Sequence, residues 1–134
     1  MMSKGLKTTF LIHVFVALAF GIVMYLLPAT WAELVNWTPL DENMTRLFGA
    51  ALIAIGGSSW LAYRATKWDE VRIILVLEIV FTVLGALGSL YGALALSAPA
   101  FIWVAFAVFA VFGFLFSYFY ARGEVPREAD PQIG

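Results

Sequence analysis

Cysteine is missing from this chain of 134 residues, and charged side chains make up only 13% of it. Without cysteine the chain cannot form a disulfide, a thiolate zinc site or an iron–sulfur cluster. Its single histidine offers at most one axial ligand to haem, and zinc would need further nitrogen or sulfur ligands. The net charge of −1 argues against nucleic acid, which requires a basic surface. We therefore expect no metal, no cofactor and no nucleic-acid partner.

Patterns that indicate catalysis are also missing. The run Gly56-Gly57-Ser58-Ser59 follows no strand, whereas a P-loop and a nucleophile elbow both need one. No set of nucleophile, base and acid is recognisable along the chain. We expect no catalytic residue and a protein that is not an enzyme.

Apolar residues dominate what is present: 63% of the chain is hydrophobic, with a mean hydropathy of +0.91. Soluble domains contain about 45–50% apolar residues and about 25% charged ones. A soluble domain this short could not bury so much apolar surface. The composition therefore predicts a lipid bilayer as the solvent of the protein.

Four apolar runs are each long enough to cross the hydrocarbon core as a helix, which takes about 20 residues. The first exceeds the apolar core of a signal peptide, about 7–15 residues, and ends at Pro28. We predict an all-α, four-helix transmembrane bundle forming one domain over residues 1–121, followed by a polar tail over 122–134. The predicted helices cover about 8–27, 44–63, 71–96 and 100–120.

Tryptophan residues mark the expected membrane boundaries, which an indole prefers. Trp31 and Trp37 lie in the loop between the first two spans, and Trp68 precedes the third. Residues 30–33 match a capping box, with Thr30 as the cap, which favours a short interfacial helix in this loop. A plain loop anchored by tryptophan is the alternative.

Small residues predict close helix packing on the second and third spans. Ala50 and Ala54 repeat at a spacing of four on the second, and Gly88 and Gly92 do so on the third. Such spacing lets another backbone approach. The candidate close-packing residues are Gly49, Ala50, Ala54, Gly85, Gly88 and Gly92.

The basic residues are distributed unevenly between the two predicted sides of the membrane. Four spans place seven of the eight on the side of the two termini and only Arg46 on the other. By the positive-inside rule, both termini should be cytoplasmic. The seven are Lys4, Lys7, Arg64, Lys67, Arg72, Arg122 and Arg127.

Glu78 is the one acid within the apolar part of a predicted span, where a carboxyl must be paired, protonated or facing a cavity. At 1.5 Å per residue, Glu78 and His13 lie about 10 and 8 Å from the cytoplasmic boundary. The other two spans carry polar groups at a similar level. We predict a buried polar layer formed by His13, Ser58, Ser59, Glu78, Ser117 and Tyr118.

Two interpretations of this layer remain open. The Glu78–His13 pair could be a hydrogen-bonded contact that fixes how the helices pack. Alternatively, the pair could share a proton or bind a ligand.

Several stretches of the chain resemble a group of small, uncharacterised four-span proteins of bacteria and archaea. The likeness extends from about residue 5 to 120 and implies four helices in a prokaryotic plasma membrane, but no activity. Its motifs are Leu11-Ile12-His13 with Pro28, residues 46–51, residues 60–64, and Trp68 through Glu78 to Gly85.

Two functions fit these observations. The first is a structural or accessory subunit that packs against a larger membrane complex or against itself. The second is a module that binds or transports a quinone, a lipid or a small cation at Glu78 and His13. A cavity at the polar layer, open to lipid or to the cytoplasm, would favour the second.

Overall fold

The computed structural model describes residues 2–123, which form five α-helices and no strand. Four of them are long and apolar enough to cross a membrane, which confirms the predicted all-α bundle. A short helix joins the first two spans. The helices are α1 (Lys4–Leu26), α2 (Pro28–Val35), α3 (Glu42–Arg64), α4 (Trp68–Ala95) and α5 (Ile102–Arg122).

Local capping explains where several helices begin and end. The Ser3 hydroxyl accepts a hydrogen bond from the Leu6 amide at 3.1 Å, so α1 starts four residues before the predicted position. Asp41 caps α3 in the same way, accepting from the Met44 amide at 3.0 Å. Gly123, with φ of +67°, follows α5. The predicted polar tail lies outside the described residues from position 124 onward.

Helix α2 corrects one prediction from the sequence. It begins at Pro28, and the residue before it, Leu27, makes no side-chain cap. The predicted capping box at Thr30 is therefore wrong. Proline has no amide hydrogen to leave unpaired in a first turn and its φ already suits a helix, which explains the earlier start.

Spans α1 and α3 form one closely packed pair, and α4 and α5 form the other. In the first pair, Gly21 and Gly49 bring the two backbones together, since a Cβ on Gly49 would lie 2.7 Å from the Tyr25 amide nitrogen. Gly56 continues this contact against Leu18. The close-packing role predicted for Gly49 thus agrees with the structure.

The other small residues on α3 point elsewhere. Ala54 is exposed and Ala50 only half-buried, so the stripe predicted at a spacing of four is not the one that meets α1. The contact face instead contains Gly49 and Gly56, seven residues apart, or nearly two helical turns. A pattern of small residues shows that close contact is possible without showing which face makes it.

In the second pair, Gly85 packs against the ring of Phe109, and a Cβ there would lie 2.6 Å from that ring. Gly92 makes ordinary contact with Ile102, at 3.6 Å from an added Cβ. Gly88 has no atom within 4 Å of an added Cβ. The prediction that Gly88 packs against a helix is wrong.

The start of α1, the end of α3, the start of α4 and the end of α5 meet at one end of the bundle. Eight buried apolar side chains fill this end, and we call them the apolar plug. Trp68 packs against the plug half-buried. The plug consists of Met2, Leu6, Phe10, Ala62, Val71, Leu75, Phe112 and Phe116.

At the opposite end, α2 folds back onto the bundle. Trp31 is only 8% exposed, and its ring lies 5.6 Å from that of Trp37 and 5.9 Å from that of Phe101. The expectation that Trp31 anchors the chain at a lipid boundary needs correction, because protein encloses its indole. Trp37 is half-buried beside it.

Candidate ligand-binding site

Three helices contribute one polar side chain each to a buried cluster. The Ser59 hydroxyl of α3 lies 2.5 Å from Oε1 of Glu78 on α4 and 2.9 Å from Nδ1 of His13 on α1. Nδ1 also lies 3.5 Å from Oε2 of Glu78. Ser59 and Glu78 are fully buried and His13 is 5% exposed. Ser59 thus bridges the acid and the imidazole, and we call the three residues the polar triad.

Two further hydroxyls lie beside the triad. The Ser58 hydroxyl is 2.8 Å from the Ile55 carbonyl oxygen and 3.2 Å from Oε1 of Glu78. Its shorter hydrogen bond is therefore to its own helix, and its longer one is to the acid. Thr82 is fully buried and donates to the Glu78 backbone carbonyl at 2.6 Å. The sequence prediction missed Thr82, although it follows Glu78 by four residues and so lies on the same helical face.

Helix α5 does not contribute the polar groups expected of it. Ser117 and Tyr118 are both exposed, and the Tyr118 hydroxyl accepts a hydrogen bond from Arg122 at 2.9 Å. Their assignment to the polar layer is wrong. The face that α5 turns inward instead carries Phe112 and Phe116, whose ring centroids lie 4.4 and 5.2 Å from that of His13.

A cavity of about 710 Å³ begins at His13 of the triad, beside Phe112 of the apolar plug, and extends away from the plug. Spans α1, α3, α4 and α5 all line it, and α2 contributes Trp31. His13 lies at its inner end, while Trp37 and Met44 lie at the opposite end. The lining is overwhelmingly apolar, with Ser89 and Thr45 among its few polar residues.

The cavity opens sideways between α3 and α4. Phe48 on α3 lines it and is 40% exposed, and Leu84 on α4 lines it and is 62% exposed. Leu77 and Val80 of α4 are likewise lining residues that remain half-exposed. Side chains that belong to both the cavity and the outer surface mark its mouth, and in a membrane this mouth faces lipid.

Gly88 helps to explain why there is space here. It lines the cavity together with Gly85, but at Gly85 the Phe109 ring occupies the place of a side chain. Gly88 in particular faces open space, since an added Cβ would meet no atom within 4 Å. The glycine predicted to pack against another helix therefore contributes to the cavity wall.

Three polar atoms at this site have no protein hydrogen-bond partner among residues 2–123. Two are fully enclosed: Nε1 of Trp31 and Oε2 of Glu78. The third is Nε2 of His13, since the hydrogen bond of that ring is made through Nδ1. Buried polar groups usually find partners. His13 lines the cavity at its inner end, and Nε2 is the ring nitrogen left without a protein partner there. Trp31 lines the outer end, but its unpaired indole N–H is itself enclosed by protein.

Residues 2–123 contain no group of three or more His, Asp or Glu side chains arranged to hold a metal ion. The triad has the chemistry of a hydrogen-bond relay: two groups able to exchange a proton and a hydroxyl between them. No family model, curated protein or solved structure matches this chain in comparisons with known proteins.

Proposed function

We propose that this protein binds a lipophilic small molecule inside its helical bundle, with the polar head of that molecule at His13. The observation that carries the proposal is the apolar cavity of about 710 Å³ that ends on the His13 imidazole. Ligand sites typically measure about 300–1,000 Å³ and combine apolar walls with a few polar groups. We assign no catalytic residue, cofactor or metal to this site.

The lateral mouth supports a ligand that arrives from the bilayer. A quinone, a lipid or another long apolar molecule can pass between α3 and α4 without leaving the hydrocarbon. The apolar plug fills the opposite side of the triad, so the cavity is closed toward that end of the bundle. This arrangement favours binding over transport through the bundle.

Blocking the cavity tests the proposal. Gly88→Phe adds a ring in open space on the cavity wall, so it should displace a ligand without disturbing helix packing. Gly57→Phe is the matched control, because Gly57 is exposed, also has open space around it and does not line the cavity. The measurement is mass spectrometry of small molecules retained after purification in nanodiscs.

A lipophilic compound retained by the native chain and by Gly57→Phe, but lost from Gly88→Phe, would support binding. Equal retention by all three chains would contradict it. Purification with other polypeptides at fixed stoichiometry, with an empty cavity, would favour an accessory subunit instead.

An accessory or self-associating role remains the second candidate. Ala54 and Gly57 are exposed on α3, where no other helix of residues 2–123 covers them. Small residues on an outer face allow another membrane helix to approach closely. A large side chain at Gly57 would then disrupt assembly. Measuring the size of the assembly that Gly57→Phe forms in nanodiscs would reveal this.

We also propose a prokaryotic plasma membrane with both chain termini in the cytoplasm. Six of the seven basic residues assigned to that side belong to the described residues, and the helix ends that carry them meet at the apolar plug. Arg46 lies at the other end, where its guanidinium donates to Glu42 at 3.1 Å. Arg127 lies outside the described residues.

A further inference from the structure

The Ser59 hydroxyl has one hydrogen but two close neighbours, Nδ1 of His13 and Oε1 of Glu78. It can donate to only one of them, so the other must donate to it. If Ser59 donates to Glu78, then Nδ1 carries a hydrogen. If Ser59 donates to Nδ1, then Oε1 carries one. Hydrogen positions on the imidazole and on the carboxyl are therefore linked through Ser59.

Charge restricts which of these arrangements the bundle can hold. A neutral imidazole that donates from Nδ1 leaves Glu78 ionised and the triad with a net negative charge. A net charge within a membrane span is costly, and Oε2 has no hydrogen bond to stabilise it. Moving a proton onto Oε2 removes the charge but leaves a buried O–H without an acceptor, which is also costly.

Two other neutral arrangements keep both hydrogen bonds of Ser59 and leave no buried O–H unpaired. In one, a protonated imidazole donates from Nδ1 and Glu78 is ionised. In the other, Oε1 of Glu78 carries the proton and donates to Ser59, which donates to Nδ1. The His13 Nε2 carries a hydrogen in both, so the cavity presents a hydrogen-bond donor at its inner end.

From this hydrogen count, and resting on the proposed function, we infer that the cavity selects ligands whose polar head accepts a hydrogen bond. A ketone or quinone carbonyl accepts from the Nε2–H of His13. A head that can only donate would place two hydrogens against each other, or force either a net charge or an unpaired buried O–H onto the triad. Ser59 acts as a positioning residue, since it determines which nitrogen of His13 carries the hydrogen.

Three tricyclic probes of nearly equal size and shape separate these possibilities. Fluorenone has an acceptor only, carbazole a donor only, and fluorene neither. Their binding is measured on the full chain in nanodiscs and corrected for partitioning into empty nanodiscs. We expect fluorenone to bind about tenfold more tightly than carbazole, the factor that one hydrogen bond supplies, with fluorene between them.

Infrared spectroscopy gives a readout that a change in protein stability alone would not alter. The fluorenone carbonyl stretch should shift to lower wavenumber when the native chain binds it, and the shift should disappear on displacement in Gly88→Phe. This measurement needs no variant of the triad itself, so it stands even where such a variant fails to fold.

Two variants test whether His13 and Ser59 cause the preference for fluorenone over carbazole. His13→Phe keeps an aromatic ring but removes the donor, so fluorenone and carbazole should bind equally. Ser59→Ala leaves the imidazole free to place its hydrogen on either nitrogen, which should reduce the preference.

The outcomes are distinguishable. Carbazole binding as tightly as fluorenone to the native chain, or an unchanged preference in His13→Phe, would overturn the inferred selection while the cavity remained a ligand site. Binding of no probe above empty nanodiscs, together with equal retention of native compounds by Gly88→Phe, would overturn the proposed function as well.

Discussion

Gly21 of α1 lies directly against Gly49 of α3: a Cβ added to Gly49 would come 2.8 Å from the Gly21 carbonyl oxygen. That oxygen belongs to a helical backbone and cannot rotate away. We therefore expect Gly49→Ala to destabilise the bundle by about 1–3 kcal/mol, the usual range for overpacking. Unfolding in detergent micelles measures this change in the free energy of unfolding.

Gly57→Ala is the matched control for this change. Gly57 lies on the same helix with open space around it, so alanine should leave packing intact. Its higher helix propensity should stabilise the protein by up to about 1 kcal/mol. Equal effects of the two substitutions would show that the α1–α3 contact is looser than these distances indicate.

Ser59 and Ser58 are adjacent but should differ in their contribution to stability. Ser59→Ala removes the nearest hydrogen-bond partner of both His13 and Glu78 within a fully buried site. We expect a loss of about 1–3 kcal/mol, typical of an unsatisfied buried polar group. Denaturant titration in mixed micelles measures the loss.

Ser58→Ala provides the comparison. Its hydroxyl bonds mainly to its own helix at Ile55 and is only partly buried. The free energy of unfolding should fall by about 0.6 kcal/mol, the mean for side-chain hydrogen bonds in membrane proteins. If Ser58→Ala proved the more harmful change, Ser59 would not be the bridge of the triad.

The Trp31 indole is buried but its Nε1 has no protein partner. Trp31→Phe therefore loses no protein hydrogen bond, and we expect the free energy of unfolding to change by less than about 1 kcal/mol. Trp31→Ala removes the ring contacts with Trp37 and Phe101 and should cost about 3–5 kcal/mol. Thermal unfolding of the two variants side by side provides the measurement.

A large loss of stability in Trp31→Phe would show that the indole N–H forms a hydrogen bond with a molecule other than the protein. Because Trp31 lines the cavity, the bound molecule would then be the first partner to examine. Mass spectrometry of the same samples would identify it.

The absence of cysteine allows a direct test of orientation. Lys67→Cys places one thiol in the turn between α3 and α4, and Asn43→Cys places one at the start of α3; both positions are exposed. With cytoplasmic termini, a membrane-impermeant maleimide should label Asn43→Cys in intact cells. Lys67→Cys should react only after permeabilisation. The reverse pattern would invert the proposed orientation, and the native chain controls for background.

Helix number and type follow from the sequence because hydropathy and length act locally. Boundaries shifted by a few residues where local chemistry decided them: the Ser3 cap started α1 early, and Pro28 opened α2 without a side-chain cap. The depth of His13, Ser59 and Glu78 was also predictable, because the rise per residue is constant along a helix. Their meeting needed only that three helices turn these residues toward a common axis.

Rotation about the helix axis was not predictable, and it accounts for most of the errors. Helix α5 is apolar on nearly every side, so its sequence did not reveal that Phe112 and Phe116 face inward while Ser117 and Tyr118 face outward. The same ambiguity placed Ala54 and Gly88 in contacts that they do not make. In a bilayer an apolar face can meet lipid or protein, so polarity alone does not separate the two.

The sequence by itself determined the solvent of this protein, the number of its spans and the level at which its one buried acid lies. Each depends on composition or on distance along a single helix. Only the tertiary structure decided that Ser59 bridges His13 and Glu78, and that a cavity open between α3 and α4 ends on the imidazole. Both depend on how neighbouring helices rotate and separate, and packing between helices decides that.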